Sequence, residues 1–218
     1  PRLAFTTAAQ ALQAGQCSAV TTVQVQDGTN AAWPVGASTT VNLSSSSAAG
    51  PFFSDSTCVT SITSVTLATG ASSASFFWKD TVAGTPTLTA SGTGRGSGSQ
   101  LETINPGPLF TVRFTAAAQT VGAGVCSGVT PLRIEDAYGN PITSAAARQV
   151  ALTSSAGTGT FYSDSTCITA STNATVLAGS ATTSFFWKDT AIGTPTLTAT
   201  YTTAVGTQGQ TVVAGSAT

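Results

Sequence analysis

The chain has 218 residues, a formal net charge of −1 and only 7% charged residues, where soluble proteins usually carry roughly 25%. Its 7 Lys and Arg residues are spread along the chain, which argues against a nucleic-acid partner, because neutralising phosphates requires clustered cations. The absence of His argues against most hydrolases and metalloenzymes, since it removes the commonest general base and metal ligand.

Short strands are predicted throughout the first half of the chain, where β-branched and aromatic residues alternate with small polar ones. In chain order we expect them near Leu3–Thr7, Val20–Asp27, Thr39–Ser45, Val65–Ala68, Ser75–Asp80, Thr85–Ser91 and Gln100–Ile104. Alternation assigns the following side chains to the inward face: Val23, Val25, Val41, Leu43, Phe76, Trp78, Leu88 and Ala90. About seven short strands in roughly 100 residues, with no sustained helical spacing, predict an all-β sandwich.

The second half of the chain repeats the first at a fixed shift. Cys17 falls on Cys126 and Trp78 falls on Trp187, each 109 positions further on. Two longer stretches recur almost unchanged, Ser54–Cys58 at Ser163–Cys167 and Phe76–Thr81 at Phe185–Thr190. The inward positions recur as Leu132, Ile134, Val150, Leu152, Phe185, Trp187, Leu197 and Ala199. A period of this length is typical of one domain per copy, whereas solenoid repeats are roughly 20–50 residues long.

The repeat predicts two tandem β-sandwich domains with a boundary at a proline-rich junction. Two prolines fall within Asn105–Pro108, which favours a short, stiff spacer. We therefore predict domain 1 over residues 1–105, a Pro-Gly linker over 106–108 and domain 2 over 109–218. Both ends of the chain lie close to repeat boundaries, which favours two units of a longer array.

Composition also argues against disorder and against a membrane span. Disorder normally accompanies low hydrophobicity and high net charge, whereas 41% of these residues are hydrophobic and the charges nearly cancel. No apolar run approaches the roughly 20 residues of a membrane helix, and no signal peptide is visible. We expect no cofactor and no membrane insertion within this segment.

The most specific turn chemistry lies in Glu135–Ile142 and Phe186–Ala199. The first stretch resembles the D-x-x-G-N-P-V turn of bacterial immunoglobulin-like (Ig-like) domains of group 1, the invasin and intimin type, and the second resembles a strand pair of that family. Asp27–Pro34 lacks the Gly-Asn-Pro order, so we expect the equivalent loop of the first copy to differ. The resemblance implies Ig-like sandwiches strung as rods in secreted or surface-anchored bacterial proteins, often adhesins, and it implies no catalytic site.

The four cysteines indicate the compartment. They allow three pairings, but each copy holds two cysteines at the same offset, so the economical choice joins Cys17 to Cys58 and Cys126 to Cys167. Free buried thiols are the alternative, and zinc would need closer cysteine pairs or His. A disulfide closing a loop of this size stabilises a domain by about 4 kcal/mol. Because disulfides persist in oxidising compartments, we predict an exported protein, extracellular or on the cell surface.

Four aspartates are interpreted as turn formers. Asp27 and Asp136 follow predicted strands, where we expect Asx-type hydrogen bonds to the backbone two residues on. Asp55 and Asp164 are expected to form turns beside the disulfides. Calcium binding is the alternative for Asp27 and Asp136, but the acidic residues are too scattered to supply six or more oxygens.

Lys79 and Lys188 each follow an inward tryptophan, so alternation points them outward. We expect solvated lysines that pair with Asp80 or another neighbour. The alternative is an amide cross-link from lysine to asparagine, which would need a buried lysine beside a buried acid.

Phe77 and Phe186 are large apolar residues on the predicted outer face. Either a neighbouring loop half covers them, or they form an apolar patch for contact between domains or between chains. Phe52-Phe53 and Phe161-Tyr162 raise the same question, because adjacent residues of a regular strand cannot both point inward. The near-zero net charge removes long-range repulsion and favours lateral contact.

Together these features favour a non-catalytic structural or stalk module of an extracellular bacterial repeat protein, part of a cell-surface adhesin or an extracellular fibre. The expected partners are neighbouring Ig-like repeats of the same chain and laterally associated copies. The alternative is an adhesin module that binds a carbohydrate or protein through loops at one pole, with exposed Trp33 as the stacking candidate. An enzyme is not expected, because a nucleophile needs a base beside it.

Overall fold

Strands are the regular elements of the described chain. The computed structural model describes residues 1–215. Within them, no helix is long and apolar enough to cross a membrane. The chain divides into two compact units, Pro1–Gly107 and a second that begins at Pro108, which we call domain 1 and domain 2.

Domain 1 is built from two antiparallel sheets and one short parallel pair. Its strands are β1 (Arg2–Phe5), β2 (Ala11–Gln13), β3 (Thr21–Gln26), β4 (Thr39–Ser45), β5 (Phe52–Phe53), β6 (Ser61–Ile62), β7 (Ser64–Leu67), β8 (Ser73–Trp78), β9 (Thr87–Ser91), β10 (Gly98–Leu101) and β11 (Thr103–Asn105). One sheet has the order β1-β3-β8-β5-β6 and the other β10-β9-β4-β7. The remaining pair joins β11 to β2 in parallel.

Domain 2 repeats this plan. Its strands are β12 (Thr111–Phe114), β13 (Thr120–Gly122), β14 (Thr130–Glu135), β15 (Arg148–Ser154), β16 (Thr160–Tyr162), β17 (Asn173–Val176), β18 (Thr182–Lys188), β19 (Thr196–Tyr201), β20 (Ala204–Gly209) and β21 (Thr211–Val213). The sheets have the orders β12-β14-β18-β16 and β17-β15-β19-β20. Again the first short strand pairs in parallel with the last, β13 with β21.

The core lies between the two sheets of each domain, where the alternation predicted it. Every position assigned to the inward face is buried in both domains. The ring of Phe76 meets those of Phe5 and Phe52 edge to face, with centroids 6.3 and 5.6 Å apart. Phe185 makes the same two contacts in domain 2, at the same distances. The prediction of two all-β, Ig-like sandwiches is therefore confirmed.

The predicted strands differ from the structure mainly in the short elements. Strands β2, β5 and β6 have only two or three residues, too few for alternation to reveal. The single strand predicted over Gln100–Ile104 is two strands, because β10 pairs with β9 whereas β11 pairs with β2. The break falls at Glu102, whose side chain is buried.

The first and last strands of each domain run in the same direction. At one end of domain 1, Arg2 lies beside Gly96 in a parallel bridge, and at the other end Gln13 lies beside Asn105. A Cβ atom at Gly98 would stand 2.5 Å from the carbonyl oxygen of Leu3, so only glycine allows β10 to lie this close to β1. The chain therefore enters and leaves the domain at opposite ends of its terminal strands.

Candidate functional site

In each domain one turn contains a cysteine whose disulfide attaches the turn to an earlier segment of the chain. We call it the stapled turn, residues 54–60 in domain 1 and 163–169 in domain 2. The disulfides are Cys17–Cys58 and Cys126–Cys167, with Cα atoms 5.8 and 5.7 Å apart. These are the predicted pairs. Cys58 and Cys167 have φ angles of 53° and 54°, a left-handed conformation that a residue with a side chain adopts only where its surroundings impose it.

An aspartate holds the stapled turn from within. The Oδ1 atom of Asp55 accepts the backbone N–H of Thr57 at 3.0 Å and of Val59 at 3.3 Å, and Oδ2 accepts that of Thr60 at 2.7 Å. The Thr57 hydroxyl also donates to Oδ1, and Asp164 repeats all four bonds. The threonine hydroxyls, followed by the backbone donors, hold the pKa of both carboxyls well below the ordinary aspartate value. The predicted turn-forming role is confirmed.

The stapled turn presents one apolar side chain to solvent. Val59 and Ile168 occupy the same position after the turn cysteine and are 76% and 79% exposed. The disulfide and the aspartate hydrogen bonds fix the backbone on which each side chain stands. Both domains therefore display a β-branched residue from a constrained turn.

An aromatic cluster lies on the outer face of the neighbouring strands. We call it the aromatic face: Phe53, Phe77 and Lys79 in domain 1, and Tyr162, Phe186 and Lys188 in domain 2. Phe53 lies opposite Phe77 in the strand register, and Tyr162 lies opposite Phe186. The lysine Nζ atoms lie 5.2 and 5.1 Å from the ring centroids of the first residue of each set, within the range of a cation–π interaction.

The aromatic face answers two questions that the sequence left open. Phe52 and Phe53 are adjacent yet only 5% and 6% exposed, because Phe52 enters the core while Phe53 is covered on the opposite face, where Lys79 lies over its ring. Lys79 does not pair with Asp80, whose carboxylate is buried and accepts the backbone N–H of Val82 at 2.9 Å. The same arrangement recurs at Phe161-Tyr162, Lys188 and Asp189.

Phe77 and Phe186 are half-buried. Each lies beside a buried aromatic residue across the strand pair, so part of its surface is covered and part faces solvent. Their role as a contact surface stays a prediction.

The loops after β3 and β14 share one backbone path, contrary to the expectation from the missing Gly-Asn-Pro order. The N–H of Trp33 bonds back onto β3 at 2.8 Å, and the N–H of Ile142 bonds back onto β14 at 2.9 Å. Asn30 has a φ of 68° where Gly139 has 83°. The two loops agree because asparagine is one of the few residues that tolerate the left-handed region.

Asp27 and Asp136 close these loops with the expected Asx bonds. Asp27 Oδ1 accepts the N–H of Thr29 at 2.8 Å, and Asp136 Oδ1 accepts that of Tyr138 at 2.9 Å. The Thr29 hydroxyl and backbone lower the pKa of Asp27. Among residues 1–215, no three His, Cys, Asp or Glu side chains stand close enough to hold a metal ion. The Trp33 side chain is 50% exposed, and its role in ligand stacking stays a prediction.

Sequence reasoning missed the burial of both glutamates. Glu135 bonds to Arg133 at 2.5 Å and lies 3.7 Å from Arg113, whereas Glu102 is 1% exposed and forms no ion pair in the described chain. Alternation could have found Glu102, because it shares a face with the inward Ile104.

The chain was also compared with known proteins. No protein-family model and no curated protein matches it. Among solved structures, InvD of Yersinia pseudotuberculosis is 17% identical, with 98% of this chain and 57% of that chain covered and a TM-score of 0.42. Domains 4 and 5 of the S-layer protein SbsC are 22% identical, with 62% and 69% covered and a TM-score of 0.37. The D0-D1 domain of intimin is 9% identical, with 96% and 97% covered and a TM-score of 0.31.

Likeness at this level carries no argument about function, and the resemblance of the turn motifs to the invasin and intimin type stays an interpretation.

Proposed function

We propose that this chain is a non-catalytic stalk module of an exported bacterial repeat protein, forming part of a cell-surface adhesin or an extracellular fibre. One observation carries the proposal: each domain pairs its second strand in parallel with its last strand and adds a disulfide within the fold. The partners that we propose are neighbouring domains of the same kind and copies of the chain that associate laterally through the aromatic face.

Parallel terminal strands suit a module under tension. Because the two chain ends leave β2 and β11 in opposite directions, a pull on the ends loads the hydrogen bonds between Ala11–Gln13 and Thr103–Asn105 together. The pairing of β13 with β21 gives domain 2 the same geometry. Bonds loaded together resist more force than bonds that are broken one after another.

The disulfides support both the mechanical role and the location. Each bond links residues 41 positions apart, so the intervening segment cannot be extended by a pull on the ends. Disulfides persist in oxidising compartments, which supports export.

Single-molecule pulling on the ends of the chain tests the mechanical part. We expect two unfolding events, and reduction should lengthen each by about 140 Å, from 41 locked residues at roughly 3.5 Å each. In the matched control Cys17→Ser with Cys58→Ser, only domain 1 should lengthen under oxidising conditions. A pull between the N-terminus and a handle at Thr93, in the turn between β9 and β10, would instead peel strands apart sequentially. An end-to-end unfolding force no higher than this peeling force would contradict the load-bearing role.

Antibody labelling of the organism that produces the chain tests the location. Antibodies against the folded chain should label intact cells or material shed into the medium. Labelling that requires permeabilised cells would contradict the proposed location without bearing on the mechanical result.

A further inference from the structure

One polar pair differs between the domains by a single chemical group. It consists of Gln100 and Glu102 in domain 1 and of Gln208 and Gln210 in domain 2. The strand registers establish the equivalence, because Gly98 lies beside Ala90 as Gly206 lies beside Ala199. The first member of each pair lies in β10 or β20. The second immediately precedes β11 or β21, the short strand that ends the domain.

In domain 2 the pair forms an unbroken chain of hydrogen bonds. The N–H of Gln119 donates to Gln210 Oε1 at 2.6 Å, and Gln210 Nε2 donates to Gln208 Oε1 at 2.7 Å. Gln208 Nε2 then donates to the carbonyl of Ala116, also at 2.7 Å. Each acceptor in the chain faces a donor.

Domain 1 repeats the two ends of this chain but not its middle. The N–H of Gln10 donates to Glu102 Oε2 at 2.5 Å, and Gln100 Nε2 donates to the carbonyl of Thr7 at 2.9 Å. Gln100 Oε1 and Glu102 Oε1 remain, both buried and without a hydrogen-bond partner among the described residues. Where domain 2 joins the two side chains by an amide N–H and an amide oxygen, domain 1 leaves one oxygen of each side chain without a donor.

Rotation of the amide or a neighbouring cation could in principle relieve this conflict. Rotation of the Gln100 amide does not help. It would replace the Nε2 donor by an oxygen opposite the Thr7 carbonyl, and two acceptors would then face each other. The backbone N–H of Glu102 donates to the carbonyl of Pro86 at 2.9 Å, and its side chain accepts from the N–H of Gln10, so both hydrogen bonds are made with uncharged residues. Within residues 1–107, the other ionisable side chains form no hydrogen bond or ion pair with Glu102: Arg2, Asp27, Asp55, Lys79, Asp80 and Arg95.

We propose that Glu102 keeps its proton above the pH at which an ordinary glutamate ionises and donates it from Oε1 to Gln100 Oε1, so that a carboxylic acid in domain 1 replaces the Gln210 amide of domain 2. A proton on Oε1 satisfies both orphaned oxygens at once. An unpaired buried carboxylate would instead lose its hydration without compensation.

Burial favours this neutral form. It raises the pKa of Glu102 above the ordinary glutamate value, and the N–H of Gln10 offsets only part of the effect. A raised pKa means that the folded state binds the proton more tightly than the unfolded state. The stabilisation is therefore complete below the ordinary glutamate pKa and is lost as the pH rises through the raised value. Loss of the proton would loosen the junction of β10 and β11 in domain 1, whereas domain 2 has no acid at this position.

Carbon-13 NMR of the side-chain carboxyl carbons tests the proposal, since Glu102 and Glu135 are the only glutamates in the chain. We expect the Glu102 signal to titrate with a midpoint clearly above the value of about 4.3 for an ordinary glutamate, because burial disfavours the charged form. Glu135, which is paired with Arg133, provides the internal reference signal. The Glu102→Gln variant assigns the signals. A Glu102 signal that titrates at or below the ordinary glutamate value would overturn the proposal.

A transfer of the acid to domain 2 provides the matched control. Gln210→Glu should add a third glutamate signal with the same raised midpoint. The melting temperature of domain 2 should then fall as the pH rises through that midpoint. Glu102→Gln should remove the corresponding loss of stability at rising pH from domain 1. An added glutamate with an ordinary midpoint would also contradict the proposal, because the two environments match.

Discussion

The two domains place their buried glutamates at different ends of the same scaffold. On the third strand, domain 1 pairs two amides, with Gln26 donating to Gln24 at 3.0 Å, and domain 2 pairs Arg133 with Glu135 at 2.5 Å. At the last strands the chemistry is reversed, with an acid in domain 1 and an amide in domain 2. The scaffold thus accepts either kind of pair wherever a donor meets an acceptor. An acid beside a guanidinium can form an ion pair, whereas an acid that shares a hydrogen bond with an amide oxygen must supply the proton.

The shared features make this comparison informative. Both domains have the same disulfide spacing, the same aspartate bonds in the stapled turn and the same lysine over an aromatic ring. Each domain therefore serves as a control for the other, and a substitution can be matched at the equivalent position.

Removal of a disulfide is expected to have the largest effect. Cys17→Ala with Cys58→Ala should lower the free energy of unfolding of domain 1 by about 4 kcal/mol, because the unfolded chain regains the entropy of an open loop. Cys126→Ala with Cys167→Ala should cost domain 2 the same within about 1 kcal/mol. Denaturant unfolding, resolved into two transitions, measures both losses. Unequal losses would show that the two staples are not equivalent.

Separation of the ion pair of domain 2 is expected to have an intermediate effect. Arg133→Gln should lower the free energy of unfolding by about 2 kcal/mol, because buried Glu135 keeps only Arg113, at 3.7 Å. Adding Glu135→Gln recreates the amide pair of domain 1 and should restore most of the loss. The same denaturation measurement decides, and a double variant as unstable as the single one would contradict the interchangeability of the pairs.

Loss of the lysine over the aromatic ring is expected to cost less. Lys79→Ala should destabilise domain 1 by about 0.5–1 kcal/mol, since the ring loses its cation–π contact and part of its cover. Lys188→Ala is the matched change over Tyr162, and Lys79→Arg should retain most of the contact. Thermal unfolding of the three variants gives the comparison. An effect of Lys79→Ala indistinguishable from zero would show that the ring needs no cover.

The acid dependence of the stapled turns is expected to be the smallest effect, because Asp55 and Asp164 are accessible to solvent. Their pKa values lie below the ordinary one, so the folded state prefers the ionised form. The stabilisation is present above the ordinary aspartate pKa and is lost as the pH falls through the lowered value. Asp55→Asn and Asp164→Asn should each weaken this dependence of the melting temperature in their own domain. A full acid dependence in the double variant would assign it to other groups.

How well a feature could be predicted depends on how far apart in the sequence its interacting residues lie. Alternation placed Val41, Trp78 and Leu88 in the core, because one buried face imposes a period of two on the strand. The partner of Lys79 could not be predicted, since the ring beneath it comes from Phe53 on another strand. Asn30 was missed for a local reason: the motif suggested glycine at a position that asparagine can also occupy.

Buried acids lie at the limit of such reasoning. Glu102 obeys the alternation, but its environment depends on Gln100, Gln10 and Thr7, which three separate segments bring together. Only the second copy, with an amide at the equivalent place, reveals what the carboxyl must do. The repeat was visible in the sequence, whereas the mismatch required coordinates.

The position of the disulfide divides each domain into a ring and two tails. The bond from Cys17 to Cys58 encloses β3, β4 and β5, and the strands at both termini lie outside the covalent ring. When the tails come away, the ring still holds strands of both sheets close to one another. Recovery then starts from a small set of arrangements, because the entropy of closing that loop has already been lost. Such a domain is suited to repeated unfolding under force and refolding.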